Sequence, residues 1–246
     1  MPQSDSRNYV LIHGAWFGGW VWKDVAARLR AAGHSVYTPS LTGLGERRHL
    51  LRPGITLRTH AEDIVSLLHM EDLTDVVLVG WSYGGMVVND VLGLVPERIG
   101  AVVYLDAMMP EPGRSHSSYA AAHPAEWVVE LVATGQDIPP LPARSIGITD
   151  EALASHIEAR LGPHPALTFL TPSGAPSQLP DIPYTYVLSG GHLDLSNTFK
   201  QFYDTFQQFY DTFEERSLGA AHVIKTGHTM MLSEPDATAE LLLAAV

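Results

Sequence analysis

Val76-Val77-Leu78-Val79-Gly80-Trp81-Ser82-Tyr83-Gly84-Gly85 is the stretch from which the rest of the chain can be read. Its first four residues are uniformly apolar, which predicts a strand buried on both faces. The strand runs into Gly-x-Ser-x-Gly, and Met86 to Leu94 continues with helix-compatible spacing. Strand, tight turn with glycine on each side of a serine, then helix is the pattern of a nucleophile elbow. Ser82 is expected in a strained backbone conformation. Gly80 and Gly84 leave room where a Cβ would collide with a neighbouring strand or helix. The result is a hydroxyl held above the sheet, beside the first N–H groups of the helix.

Upstream, Tyr9 to Ile12 reads as a short strand that ends in His13-Gly14-Ala15-Trp16-Phe17-Gly18-Gly19-Trp20. By itself that segment is a glycine-rich loop with aromatics for packing. Placed before an elbow, it is where a second oxyanion donor belongs, so the N–H of Ala15 would join that of Tyr83. Further strands are expected at Ser35–Thr38, within Arg98–Leu105, at Tyr184–Leu188 and at Ala221–Ile224. Helices are expected at Trp22–Ala32, His60–Leu68 and Asp236–Ala245. Strands alternating with helices predict an α/β fold with a mostly parallel sheet and helices on both faces. Ligands of such sheets bind outside the carboxyl ends of the strands, where the loops at Ala15, Ser82 and Asp106 fall.

The rhythm changes between about 107 and 180, where proline and glycine are frequent and helical pieces (125–133 and 150–161) have no strong strands between them. We read residues 1–246 as a single domain in which this segment is an inserted helical cap. Gln201-Phe202-Tyr203-Asp204-Thr205-Phe206-Gln207 is then echoed by Gln208-Phe209-Tyr210-Asp211-Thr212-Phe213-Glu214. Seven residues are about two helical turns, so the echo keeps one face toward the sheet and predicts a lengthened surface helix without a catalytic role. Asp204 and Asp211 are expected to face solvent.

Composition narrows the partners. Of the 246 residues, 46% are hydrophobic and 17% charged, an ordinary globular balance. The formal net charge of −12 argues against nucleic acid or an anionic membrane as a partner. The absence of cysteine excludes disulfides and thiolate metal sites. The twelve histidines form no H-E-x-x-H motif, so no metal and no cofactor is expected. The polar first residues, followed by an apolar run broken at His13-Gly14, resemble neither a signal peptide nor a membrane span. A cytoplasmic protein is the expectation, with a homodimer left open.

The elbow, His13-Gly14-Ala15, Gly18-Gly19-Trp20, Leu41-Thr42-Gly43-Leu44-Gly45, Tyr104-Leu105-Asp106-Ala107 and Gly227-His228 occur in that family order. With them the chain resembles the α/β-hydrolase superfamily over nearly its whole length. It is most similar to the small capped branch of plant hydroxynitrile lyases, plant methylesterases and bacterial carboxylesterases. The resemblance implies a serine carboxylesterase acting on a small-molecule substrate, a small to medium, largely apolar carboxylic ester, with Ser82 as nucleophile, His228 as base, and an acyl-enzyme intermediate. Three positions depart from that branch. Trp81 stands where histidine is usual before the nucleophile, which alters packing beside the elbow but not the backbone N–H. Thr229 replaces the lysine that the lyases place after the histidine. The acid position beyond the Tyr186 strand matches His192, with Asp194 two residues on, whereas Asp106 occupies a second location the fold uses. Asp106 is therefore the preferred acid and Asp194 its alternative. A C–C lyase or cofactor-free oxygenase on the same scaffold, or a hydrolase-like small-molecule receptor, are the rival functions.

Overall fold

The structure is a computed structural model that describes residues 6–120, 123–146, 148, 150–190 and 197–245, with 145 and 197–203 described by their backbone only. Among the described residues, six strands form one sheet: β1 (Asn8–Ile12), β2 (Ser35–Tyr37), β3 (Val76–Trp81), β4 (Ile99–Leu105), β5 (Tyr184–Ser189) and β6 (Ala220–Ile224). All neighbours are parallel, in the order β2-β1-β3-β4-β5-β6. Every residue of β3 is buried, as the apolar run requires of a central strand covered on both faces. At the edge, no residue of β6 is fully buried, and its Val223 is 57% exposed.

The strand order explains where a site can form. The chain leaves β1 toward β2 on one side and returns to β3 on the other, so the loops after β1 and β3 part above the sheet. Such a switch point leaves a crevice at the carboxyl edge. The register Ile12↔Gly80 and Gly80↔Tyr104 brings the ends of β1, β3 and β4 level, which sets the loops at 13–18, 81–84 and 106–109 side by side.

The helices follow their sequence cues with one shift. After a short 3-10 turn (Gly19–Trp22), α1 covers Lys23–Ala31. α2 (Leu57–Met70) begins three residues before the expected His60. Thr56 and Thr59 form a reciprocal cap, the Thr56 hydroxyl accepting from the Thr59 amide. Its buried face is Leu57, His60, Ala61, Ile64 and Leu68, with Leu67 half-buried beside it. α3 (Gly84–Leu94) is buried from Gly84 through Leu92 because it starts at the elbow and packs between α2 and the central strands β1 and β3.

Between β4 and β5 the described residues hold α4 (Ala125–Ala133), α5 (Glu151–Glu158) and α6 (Leu167–Leu170). The echo lies in α7 (Asn197–Glu215), where Phe206, Phe209, Tyr210 and Phe213 are buried and Asp204 and Asp211 exposed. Phe213 and Tyr210 pack on Tyr186 of β5, at ring separations of 5.7 and 6.0 Å. The chain ends in α8 (Met230–Ser233) and α9 (Pro235–Ala244). No described helix is long and apolar enough to cross a membrane.

Candidate active site

Three loops at the carboxyl edge each carry a non-glycine residue in the left-handed backbone region: Trp16 (φ 67°), Ser82 (φ 56°) and Asp106 (φ 40°). For residues with a Cβ this costs about 1–3 kcal/mol apiece, a cost typically met where a side chain must be aimed. At Ser82 the surrounding glycines make it feasible. A Cβ on Gly80 would lie 2.7 Å from Val88, and one on Gly84 would lie 2.7 Å from the Ile12 carbonyl oxygen. The two loops are also laced together. The Ser82 amide donates to the Asp106 carbonyl at 3.1 Å, and the Met108 amide donates to the Ser82 carbonyl at 3.1 Å.

His228 follows β6 and is buried against these loops. Its Nδ1 lies 3.1 Å from Asp106 Oδ2, and Asp106 itself is fully buried. A carboxylate accepts, so the imidazole proton sits on Nδ1 and leaves Nε2 with its lone pair. Asp106 Oδ1 also accepts from the Ser189 amide at 2.5 Å, and the Ser189 hydroxyl donates to Oδ2. Three donors thus hold the carboxylate in one orientation. Ser189 has no motif of its own, and its place at the end of β5 emerges only with the sheet order. Asp194 and His192, the alternative acid and its neighbour, lie outside the described residues.

Ser82, His228 and Ala15 line one small cavity together with Trp16, Phe17, Trp81, Leu141, Ile146 and Leu161. Its water-accessible space is about 10 Å³, room for a single water. Among the described residues, the amides of Ala15 and Tyr83 donate to no protein acceptor, unlike most buried amides. The flanking residues separate in space. Trp16 lines this cavity, Met109 lines a different groove, and the Tyr83 side chain points away to donate to His60 Nδ1 at 2.9 Å.

Trp81 does more than fill space. Its indole N–H donates to the His228 carbonyl at 2.8 Å, and its ring lies 5.2 Å from the imidazole and edge-on to Phe17 at 4.9 Å. Phe206 of α7 stacks on the other side of His228 at 5.1 Å and 20°. The first copy of the echoed heptad therefore touches the site residue from which sequence reading kept it apart. Trp81→Phe keeps the ring and removes the N–H. We expect it to lower stability by about 1–3 kcal/mol in chemical denaturation, because a buried carbonyl loses this donor.

Neutral histidines set the loops from below. His13 Nδ1 donates to the Gly14 carbonyl at 2.8 Å while Nε2 accepts from the Leu41 amide at 3.0 Å. His60 has the opposite tautomer, donating from Nε2 to the Thr42 carbonyl at 2.9 Å. Burial pushes both imidazoles down to about 4, so neither carries charge at neutral pH. Among the described residues, no cluster of three His, Cys, Asp or Glu side chains is arranged to hold a metal.

The sequence model of the alpha/beta hydrolase family matches residues 9–241. A carbendazim hydrolyzing esterase from Nocardioides sp. is 52% identical over 108 residues, 44% of this chain and 45% of that protein. Salicylic acid-binding protein 2 of Nicotiana tabacum is 32% identical over 152 residues, covering 58% of each chain. The chain thus spans about half the length of these curated relatives. Among solved structures, an extracellular alpha/beta-hydrolase from a Paenibacillus species aligns with a TM-score of 0.77 at 26% identity, over 97% of this chain and 98% of its own. With the β2-β1-β3-β4-β5-β6 sheet, an elbow closed by Gly80 and Gly84, and a match over residues 9–241, the chain belongs to the alpha/beta hydrolase family.

Proposed function

We propose that this chain is a serine carboxylesterase acting on small, largely apolar carboxylic esters. The observation that carries the reading is the convergence of loops remote in sequence. Ser82 and His228 border one cavity, and His228 Nδ1 bonds Asp106 at 3.1 Å. The relatives described as esterases support it. In this reading Ser82 Oγ attacks the ester carbonyl while His228 Nε2 takes its proton, and Asp106 stabilises the imidazolium. The Ala15 and Tyr83 amides, which have no other acceptor among the described residues, hold the oxyanion. His228 then returns its proton to the leaving alkoxide and activates the water that hydrolyses the acyl-enzyme.

Specificity follows from the walls. Phe17, Trp81, Leu141, Ile146 and Leu161 offer no charge to a substrate, so neutral acyl groups are favoured and acids disfavoured. The test is steady-state hydrolysis of p-nitrophenyl acetate, butyrate and octanoate. Acetate is expected to have the highest kcat/KM, since the cavity is small, and octanoate the lowest. Inertness of the folded protein toward all three would overturn the reading and favour a lyase, an oxygenase or a ligand receptor.

A further inference from the structure

Every polar group of Trp16 is bonded to the segment between β4 and β5. Its indole N–H donates to the Ile138 carbonyl at 3.1 Å. Its amide donates to His164 Nδ1 and its carbonyl accepts from the Gly162 amide, both at 3.4 Å. His164 is itself fixed. Its Nε2 proton goes to the Thr168 hydroxyl at 2.8 Å, and that hydroxyl donates onward to the Pro165 carbonyl at 2.7 Å. The acceptor that Trp16 meets on Nδ1 is therefore dictated by Thr168. Ile138 and His164 are joined by a pair of backbone hydrogen bonds at 2.8 and 2.9 Å, so the three tethers move as one unit.

Trp16 adjoins Ala15 and has φ 67°, an outlier for a bulky residue that persists only where surroundings hold it. The walls of the cavity over Ser82 come from the same segment, with Leu141, Ile146 and Leu161 interleaved among Ile138, Gly162 and His164.

We infer that Trp16 is a positioning residue: its bonds to Ile138, Gly162 and His164 hold the adjoining Ala15 amide in line as an oxyanion donor. The inference rests on the esterase reading above. With the tethers cut, the Ala15 amide loses its fixed direction; with them in place it stays aimed at the oxyanion.

The test compares p-nitrophenyl acetate with its thiono analogue, in which C=S replaces C=O. Sulfur accepts hydrogen bonds poorly, so a well-aligned oxyanion hole discriminates against the thionoester. A loosened hole loses that discrimination, whereas general destabilisation slows both esters alike. Trp16→Phe keeps the ring and removes the indole tether. His164→Gln keeps a donor toward Thr168 but loses the acceptor for the Trp16 amide, and His164→Asn places an oxygen near the lost Nδ1. We expect Trp16→Phe and His164→Gln to lower kcat about tenfold with little change in KM, a smaller loss than deleting an oxyanion donor outright. The oxo-to-thiono ratio should fall with kcat, and His164→Asn should restore both. An unchanged ratio in folded variants overturns the inference and leaves the esterase standing. Should Trp16→Phe fail to fold, the two His164 variants decide by themselves. A parent inert to both esters removes the esterase reading and this inference with it.

Discussion

Ser82→Ala is expected to reduce ester turnover by at least about 10⁴-fold while leaving the melting temperature close to that of the parent. The serine hydroxyl makes no hydrogen bond on which the fold depends, and the elbow is held by backbone contacts and glycines that alanine leaves intact. Asp106→Asn should come within the same range for a more specific reason. Asp106 Oδ1 accepts from a backbone N–H of Ser189, which can only donate. An asparagine must therefore keep its carbonyl oxygen on that side and turn its NH₂ toward His228 Nδ1, where Asp106 now accepts at 3.1 Å. The imidazole is driven to carry its proton on Nε2, the tautomer that cannot take a proton from Ser82. A loss of about 10⁴-fold is the scale for such a tautomer switch. Steady-state kinetics of the three proteins on p-nitrophenyl acetate check both changes. Full activity in Asp106→Asn would transfer the acid role to Asp194, and full activity in Ser82→Ala would end the serine mechanism.

What the sequence could say about these residues depended on how locally their signal was written. The strand before Ser82, the glycines around it and the helix after it form one contiguous pattern, so the elbow and all six strands were legible within two residues of their ends. The start of α2 was not, because its cap pairs Thr56 with Thr59, and threonine at the third position lacks the Glu or Gln that marks the usual box. Contacts across the chain were hidden altogether. Trp81 and His228 are 147 residues apart, as are Trp16 and His164 by 148, and neither pair shares a motif. Trp81 drew notice as a departure from a related pattern, but its hydrogen bond to the His228 carbonyl appears only once β3 and the loop after β6 face each other. The echoed heptad misled in part. Its solvent-facing aspartates are where the helical period puts them, yet the same period that sends Phe213 onto Tyr186 sends Phe206 onto His228.

The second large effect is acid lability. Besides His228, five histidines are buried among the described residues: His13, His60, His116, His123 and His164. Burial pushes His13, His60 and His123 down to about 4, and His116 and His164 well below the ordinary imidazole range. Asp63 and Glu46 pull His13 back upward, and Asp63 does so for His60 against Arg47, but desolvation outweighs them. The unfolded chain binds protons at these positions from about pH 6.5 downward, while the folded chain resists them well below that, to about pH 4 at His13, His60 and His123. Stability is therefore whole above about pH 6.5 and is lost as pH falls toward about 4. Asp90 and Asp137, raised by burial, act in the opposite sense, two groups against five. Near pH 5 His13, His60 and His123 each withhold about 2 kcal/mol, and His116 and His164 act in the same direction, against the roughly 5–15 kcal/mol that holds a typical domain. The unfolding free energy from urea titrations near pH 6 and pH 5 measures this directly. One proton taken up on unfolding gives a slope of about 1.4 kcal/mol per pH unit, and His13, His60 and His123 account for about three. A slope below that of one proton would mean that these imidazoles are not held neutral, and the tautomers assigned to His13, His60 and His164 would have to be abandoned with it.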